Sequence, residues 1–292
     1  TMALVALGHW VLGAEQVFGA FEVPVDRATR LLIAPLINEN HLAGLLALGF
    51  PACVAVAAQQ SRVDARIAWA SAALVVFITG VLTLSRGGLA ALILGATLFG
   101  ASMLLRRRRG ARRGSAGGAT ALGIAACLAL GSYVGLAPYE REFAGETGLP
   151  SKLALIAELS ELTLLHPIVG VGRGAFGDVS TRALLVDGRA MYPESLPVQW
   201  LTEWGWPFTI MLTIALAISL IRWWLRSPRT GERALGCGVL ALGLQNLVDF
   251  RLELPGVAAV AAIALGAALG SARGVSLPAA LTLPARLGVQ LG

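Results

Sequence analysis

Long apolar runs separated by short polar segments dominate the chain. A membrane-spanning helix needs ~20 mostly apolar residues. Seven runs approach or reach that length: residues 42–59, 66–84, 87–105, 118–137, 206–225, 234–250 and 255–272. A shorter apolar run, residues 2–13, opens the chain, which is compatible with a fragment lacking N-terminal spans. The pattern predicts an all-α fold, a polytopic integral membrane helical bundle forming a single domain over residues 1–292.

A long polar segment, residues 138–205, lies between the fourth and fifth runs. Within its stretch SKLALIAELSELTLLH (151–166), leucine or isoleucine recurs at helical spacing, at positions 155, 156, 159, 162 and 165. Glu158 and Glu161 fall off that apolar face. The pattern therefore predicts an amphipathic helix that lies on or near the membrane surface.

The arginines predict how the bundle is oriented. Six of the eight residues in RRRRGARR (106–113) are arginines, and basic loops favour the cytoplasmic side. If this segment is cytoplasmic, residues 138–205 lie on the outer face. The net charge of +6 then reflects topology and contact with membrane lipids, so we expect no nucleic-acid partner.

Composition agrees with this assignment and limits the chemistry. The chain is 56% hydrophobic and 14% charged, whereas about a quarter of the residues in soluble domains are charged. Its three cysteines and three histidines show no metal-ligand spacing, and no DxD motif is present. We therefore expect no metal site, no cofactor and no disulfide framework.

Arg86 interrupts the apolar sequence where the second and third runs meet, at the outer end of a predicted helical hairpin. Ser85 is predicted to cap the third span, and Gly87 and Gly88 to allow a tight turn. Three interpretations of Arg86 remain open. It snorkels to the membrane interface, it pairs with an outer carboxylate, or it binds an anionic lipid-linked group.

Five motifs in the outer segments, between residues 36 and 260, together resemble the O-antigen ligase and O-antigen polymerase family of bacterial membrane glycosyltransferases. In chain order they are Asn38, Asn40 and Ala43 (N-x-N-x-x-A); Ser85, Arg86 and Gly87 (SRG); Lys152 followed by His166, Pro167, Gly170, Gly172 and Phe176 (H-P-x-x-G-x-G-x-x-x-F); Glu194 and Ser195 followed by Gln199, Glu203 and Gly205 (Q-x-x-x-E-x-G); and Asp249, Phe250 and Pro255 (D-F-x-x-x-x-P).

The resemblance implies a C-type glycosyltransferase-like bundle in the bacterial inner membrane, with its active face in the periplasm. It implies transfer of a glycan from undecaprenyl diphosphate to an acceptor hydroxyl on lipid A core, a growing polysaccharide or a protein. The chain departs from the family pattern at two positions. It has Glu194-Ser195 where ligases carry His-Asn, and Lys152 where many members have arginine.

Loss of a diphosphate requires cations that stabilise charge on its oxygens. We predict this role first for Arg86, with further substrate contacts from Lys152, Arg173 and Arg189. Arg173 lies in GVGRGAFG, where backbone N–H groups could reach an anion, although a solvated loop arginine is the simpler alternative.

Glu194 is the predicted catalytic base for the acceptor hydroxyl, and an exposed loop glutamate is its alternative. We also assign Asn38, Asn40 and His166 to substrate binding, although a histidine before a proline more commonly ends a helix. A transporter or flippase is the rival function. The nearly charge-free centres of the spans, with polar groups gathered at the outer face, favour chemistry on an outer-leaflet lipid instead.

Overall fold

A computed structural model describes residues 1–22, 32, 34–108, 149–184, 192–226 and 229–270. The predicted span 118–137, residues 109–113 of the arginine segment and Arg189 lie outside the described residues. Within the described ranges the regular secondary structure is helical, apart from one isolated bridge between Val17 and Phe21. The predicted all-α membrane bundle is confirmed.

The α-helices of the described residues follow the apolar runs. They are α1 (Met2–Val11), α2 (Glu39–Gln59), α3 (Val63–Leu82), α4 (Arg86–Arg108), α5 (Leu149–Ser160), α6 (Phe176–Leu184), α7 (Leu196–Trp204), α8 (Trp206–Leu225), α9 (Thr230–Gln245) and α10 (Pro255–Gly270). Short 3-10 turns cover Glu161–Leu164, Asn246–Val248 and Arg251–Glu253.

Four of these helices are long and apolar enough to cross a membrane: α2, α3, residues Arg86–Leu105 of α4, and α8. They correspond to the predicted spans 42–59, 66–84, 87–105 and 206–225. Helix α10 is apolar but shorter, with 16 residues. The sequence pattern therefore located these helices correctly, because uninterrupted hydropathy is a direct consequence of contact with lipid.

The sixth predicted span, 234–250, is wrong at its C-terminal end, since α9 stops at Gln245. The amide of Asn246 explains the stop. Its Nδ2 donates to the carbonyl oxygen of Leu242 (2.7 Å), and its Oδ1 accepts the N–H of Leu252 (3.0 Å). A side chain that hydrogen-bonds to backbone groups on both sides of a turn replaces the hydrogen bonds that a longer helix would have made. The residues after Gln245 thereby form a folded-back connection to α10.

Helix α2 lies at the centre of the bundle and contacts α3, α4, α9 and α10. Small residues allow the helices to approach closely. At Gly238 of α9, a Cβ atom would lie 2.5 Å from the carbonyl oxygen of Leu48 on α2. Helix α8 is different, because most of its apolar side chains are exposed on the bundle surface, as expected for a helix that faces lipid.

We predict that Gly238→Ala lowers the thermal stability of the detergent-purified protein, because backbone on α2 would have to move. Overpacking of this kind costs about 1–3 kcal/mol. Gly243→Ala is the matched control, since nothing lies within 4 Å of a Cβ at that position of the same helix. Thermal unfolding of both variants checks the prediction, and equal melting temperatures would contradict the close α2–α9 packing.

The predicted amphipathic helix forms α5 and the following 3-10 turn. Leu159 and Leu162 are buried and pack with Phe176, while Glu158 and Glu161 are exposed as predicted. Leu165, placed on the apolar face by its spacing, is 50% exposed because the helix has ended before it. The apolar face therefore packs on protein through its central residues.

Candidate functional site

The starts of α2 and α4 meet through the side chains of the first two motifs. Ser85 Oγ donates to Oδ1 of Asn40 (2.6 Å) and accepts the N–H of Gly88 (3.0 Å). Asn38 caps α2, its Oδ1 accepting the N–H of Asn40 (2.9 Å). The predicted capping role of Ser85 is confirmed, and the same hydroxyl joins α4 to α2.

Gly87 and Gly88 do not form the turn that was predicted for them. The residue with positive φ is Leu84 (+54°), while both glycines lie inside α4. Their role is close packing. A Cβ on Gly88 would lie 2.1 Å from the Cβ of Ala43, and one on Gly87 would lie 3.0 Å from Nε2 of Gln245.

Arg251 brings the C-terminal end of α9 to this junction. The residue is fully buried, and its Nη2 contacts Oδ2 of Asp249 (2.7 Å) and Oγ of Ser85 (3.4 Å). Burial lowers the pKa of the Arg251 guanidinium, and the charges of Asp249 and Glu194 partly offset that shift. Arg251 thus forms a buried ion pair with Asp249 and a contact with the hairpin of α3 and α4 through Ser85.

The segment that carries Glu194 docks on the same turn. The N–H of Leu196 donates to the carbonyl oxygen of Asp249 (2.8 Å), and the rings of Tyr192 and Phe250 stack with centroids 4.5 Å apart. Glu194 is partly buried and has a φ of +52°, a conformation uncommon outside glycine. Its carboxylate is close enough to act on the charge of Arg251.

Several buried polar atoms at this junction have hydrogen-bonding capacity that protein groups leave unused. They are Nε2 and Oε1 of Gln245 and Nε and Nη1 of Arg251. Gln245 and Arg251 approach each other at Gly87, where a Cβ would lie 3.0 Å from Nε2 of Gln245 and 3.4 Å from Nη2 of Arg251. Because buried polar groups are normally satisfied, these atoms favour a polar species, such as water or a ligand oxygen, at the start of α4.

Arg173 lies in a second charged cluster, next to the first. Its Nη1 contacts Oε2 of Glu203 (2.6 Å), its Nη2 contacts Oε2 of Glu253, and the Arg173 side chain is 50% exposed. The indole N–H of Trp200 donates to Oε1 of Glu253 (2.6 Å). Partial burial opposes the charge on Arg173, but its hydrogen bonds to the two glutamates raise the pKa of the guanidinium overall.

The third and fourth motifs interlock beside this cluster. The N–H groups of Val171 and Gly172 donate to the carbonyl oxygens of Thr202 (2.9 Å) and Glu203 (3.1 Å) at the end of α7. Gly170 (φ +69°) is required here, because its Cβ would lie 2.3 Å from the Glu203 carbonyl oxygen. These two N–H groups serve the end of a helix, so they are not available to an anion.

The remaining predicted site residues have different positions. Arg86 begins α4 next to Ser85 and is partly buried, and Asn38 and Asn40 lie at the same junction. His166 is exposed, and its carbonyl oxygen accepts the N–H of Gly170 (2.8 Å). Lys152 belongs to the first turn of α5, with its side chain outside the described portion of the structure, as is all of Arg189.

The sequence motifs did not identify Arg251, Gln245 or Glu253 as site residues. One signal could have identified Arg251, which follows the Asp249-Phe250 motif directly and is an arginine at the end of an apolar run, as Arg86 is. Gln245 and Glu253 gave no comparable signal. Their importance comes from contacts with α4 and Arg173, which are distant in sequence.

A cavity of about 530 Å³ opens beside Arg173 and is also lined by Tyr192, Gln199, Glu203 and Phe250. Tyr192 and Phe250 flank Glu194 and Asp249 in the chain, so the cavity adjoins the junction that holds Arg251. Among the described residues, no three His, Cys, Asp or Glu side chains are grouped as a metal site would require. The arrangement can thus bind an anion at one cluster and a polar group at the other.

No curated protein and no solved structure shows significant similarity to the chain. The family model described as O-antigen ligase matches residues 71–213. That range contains the Ser85-Arg86-Gly87 turn, the α5 helix, the interlocked third and fourth motifs, and Glu194. Members of such a family transfer glycans in polysaccharide and lipopolysaccharide synthesis. The match supports assigning residues 71–213 to the O-antigen ligase family, and the four long apolar helices together with this match suggest a multi-pass membrane protein.

Proposed function

We propose that the protein transfers a glycan from undecaprenyl diphosphate to an acceptor hydroxyl at the periplasmic face of the bacterial inner membrane. The acceptor is lipid A core, a growing polysaccharide or a protein side chain, and residues 36–260 carry the activity. One observation supports this most strongly. Residues of four motif segments, Asn40, Ser85, Arg251 and the turn at Glu194, form one connected network at a single end of the bundle.

In the proposed reaction, the acceptor oxygen forms a bond to the anomeric carbon while the bond from that carbon to the phosphate oxygen breaks. Undecaprenyl diphosphate leaves with the electron pair of the broken bond. Arg86 would stabilise the charge that develops on the diphosphate, together with the positive end of α4. The unused donors of Arg251 and Gln245 at the start of the same helix support this position.

Glu194 would accept the proton of the acceptor hydroxyl. Its backbone conformation supports a functional role, because strained residues persist where the surrounding structure holds them and are frequent at active sites. The hydrogen bond from Leu196 to Asp249 and the ring stack of Tyr192 on Phe250 hold the turn on both sides of Glu194. The guanidinium of Arg251 lies close enough for its charge to interact with the Glu194 carboxylate.

The other predicted substrate contacts have different proposed roles. Asn38 and Asn40 would act at the first cluster by holding the start of α2 against Ser85. Lys152 and Arg189 remain proposed cationic contacts to the donor, and His166 a proposed contact near the membrane. Arg173 is engaged by two carboxylates, so we propose that it shapes the neighbouring cavity rather than binding the diphosphate.

We predict that Glu194→Gln reduces transfer roughly 100-fold, since general base catalysis contributes at least that factor. The measurement is glycan transfer by the purified protein from an undecaprenyl-diphosphate-linked donor. Glu158→Gln, the same substitution on the exposed face of α5, is the control and is expected to retain activity. Near-normal turnover by Glu194→Gln would remove the base role.

The proposed reaction needs no metal ion, so a chelator should leave the rate of glycan transfer unchanged. Loss of activity in chelator would contradict that part of the proposal.

A further inference from the structure

The geometry points to the cavity beside Arg173 as the binding site for the acceptor's terminal sugar, and to selection there of neutral or amino sugars over acidic ones. This inference rests on the proposed function, which supplies the acceptor. The inference goes beyond that function by naming the chemical class of the acceptor's terminal sugar. We derive it from the cavity walls, an unsatisfied buried amide and the balance of charge.

Two different walls suit a pyranose ring. One wall carries the carboxylates of Glu203 and Glu253, which accept hydrogen bonds from hydroxyl groups and are held in place by Arg173 and Trp200. The other wall is apolar. It is formed by the stacked rings of Tyr192 and Phe250, which offer a packing surface to the C–H groups of a sugar ring. A few fixed polar groups on an otherwise apolar lining are typical of small-molecule sites.

Gln199 supplies an independent indication that a ligand binds here. The residue is only 3% exposed and lines the cavity. Its Nε2 is 3.5 Å from Oε1 of Glu203, while its Oε1 has no hydrogen-bond partner. A buried amide oxygen without a partner is costly in a folded protein. A sugar hydroxyl or amine donating to this atom would satisfy it.

The charges lining the cavity determine which sugars it admits. Among the described residues that line the cavity, Asp178, Glu203 and Glu253 are acidic and Arg173 is basic, so carboxylates outnumber cations in this part of the lining. A carboxylated sugar would add a further negative charge close to these groups, which is unfavourable in a partly desolvated site. The anionic diphosphate is correspondingly directed to the start of α4. The two clusters thus separate the anionic leaving group from the acceptor.

The test uses the full chain purified in detergent and three pyranoses of similar shape. They are methyl β-glucoside (neutral), glucosamine (cationic) and glucuronate (anionic), with binding followed by saturation-transfer-difference NMR. We expect the first two to bind and glucuronate to bind at least about tenfold more weakly. Gln199→Leu should weaken binding of methyl β-glucoside about tenfold, the loss expected for one hydrogen bond.

Charge-removing variants test the selectivity directly. Glu253→Gln should reduce the difference in affinity between glucuronate and methyl β-glucoside. Asp178→Asn should have the same effect, because it removes a negative charge at an exposed position outside the Arg173 ion pairs. Glu158→Gln should leave the preference unchanged. Three results would overturn the inference. The parent protein binds glucuronate and methyl β-glucoside equally, it binds none of the three sugars, or Gln199→Leu binds methyl β-glucoside as tightly as the parent does.

Arg86→Ala separates this inference from the proposed function. That variant should retain sugar binding while losing transfer. If sugars bind selectively but the parent protein transfers no glycan from the lipid-linked donor, the proposed function fails and the sugar site stands. If transfer occurs without the predicted sugar preference, only the inference about the cavity fails.

Discussion

Replacing Arg86 with alanine is expected to reduce glycan transfer by about 100- to 1,000-fold, the loss typical when a preorganised group that stabilises transition-state charge is removed. Arg86 stands at the start of α4, beside Ser85, which links α2, α4 and Arg251. The diphosphate gains charge as the sugar departs, so the loss should be found mainly in kcat. Arg86→Lys should retain part of the activity, because it keeps the charge but lacks the bidentate geometry.

The control for this prediction is Arg182→Ala. Arg182 is an exposed arginine on α6, within residues 138–205, so its loss changes the net charge equally without touching either cluster. Transfer by purified Arg86→Ala, Arg86→Lys and Arg182→Ala would be measured with the same lipid-linked donor. Equal rates for Arg86→Ala and Arg182→Ala would contradict a role for Arg86 in stabilising the diphosphate.

The second large effect is expected at the Asp249–Arg251 pair. Asp249→Asn leaves the Arg251 guanidinium buried without its nearest counter-charge, since the two side chains are 9% and 1% exposed. Removing one partner of a buried ion pair costs about 3–5 kcal/mol. We therefore predict a loss of that size in the free energy of unfolding, measured by denaturation of the detergent-purified protein. Activity should fall as well, because Arg251 contacts Ser85.

Two comparisons sharpen this prediction. The double variant Asp249→Asn/Arg251→Met should recover much of the stability, because it removes the unpaired charge along with its partner. Asp64→Asn disrupts the exposed Arg62–Asp64 pair, whose side chains are 78% and 65% exposed. Exposed pairs of this kind contribute little, so no measurable change is expected. Equal effects of Asp64→Asn and Asp249→Asn would show that the Arg251 charge does not depend on Asp249.

The sequence predicted the spans that face lipid more accurately than it predicted the connections between them. Hydropathy located α2, α3, α4 and α8 because a helix in a membrane must be apolar along its length. Hydropathy placed the end of α9 beyond Gln245. It carries no information on hydrogen bonds, and the Asn246 amide replaces helix hydrogen bonds on both sides of a turn. That outcome depends on the backbone position of Leu252, which only the folded structure defines.

The same reason explains what was missed in the site. Arg173 and Glu203 are 30 residues apart, and Arg251 and Ser85 are 166 residues apart, so local spacing cannot reveal that they pair. The motifs identified the segments that meet, but not which side chains act chemically. Ala43 and Gly170 belong to motifs and serve close packing, since Ala43 fits against Gly88 and Gly170 against the end of α7. Arg251, at an unspecified position inside the fifth motif, is at the centre of the network.

The most direct measurement locates lipid-linked glycans in cells lacking the protein. Undecaprenyl-linked glycans should accumulate in the outer leaflet, where an impermeant glycosidase added to spheroplasts can reach them, because the donor is delivered but not consumed. The parent gene should clear this pool and Arg86→Ala should not. Accumulation confined to the inner leaflet, or an unchanged pool, would contradict transfer at the outer face.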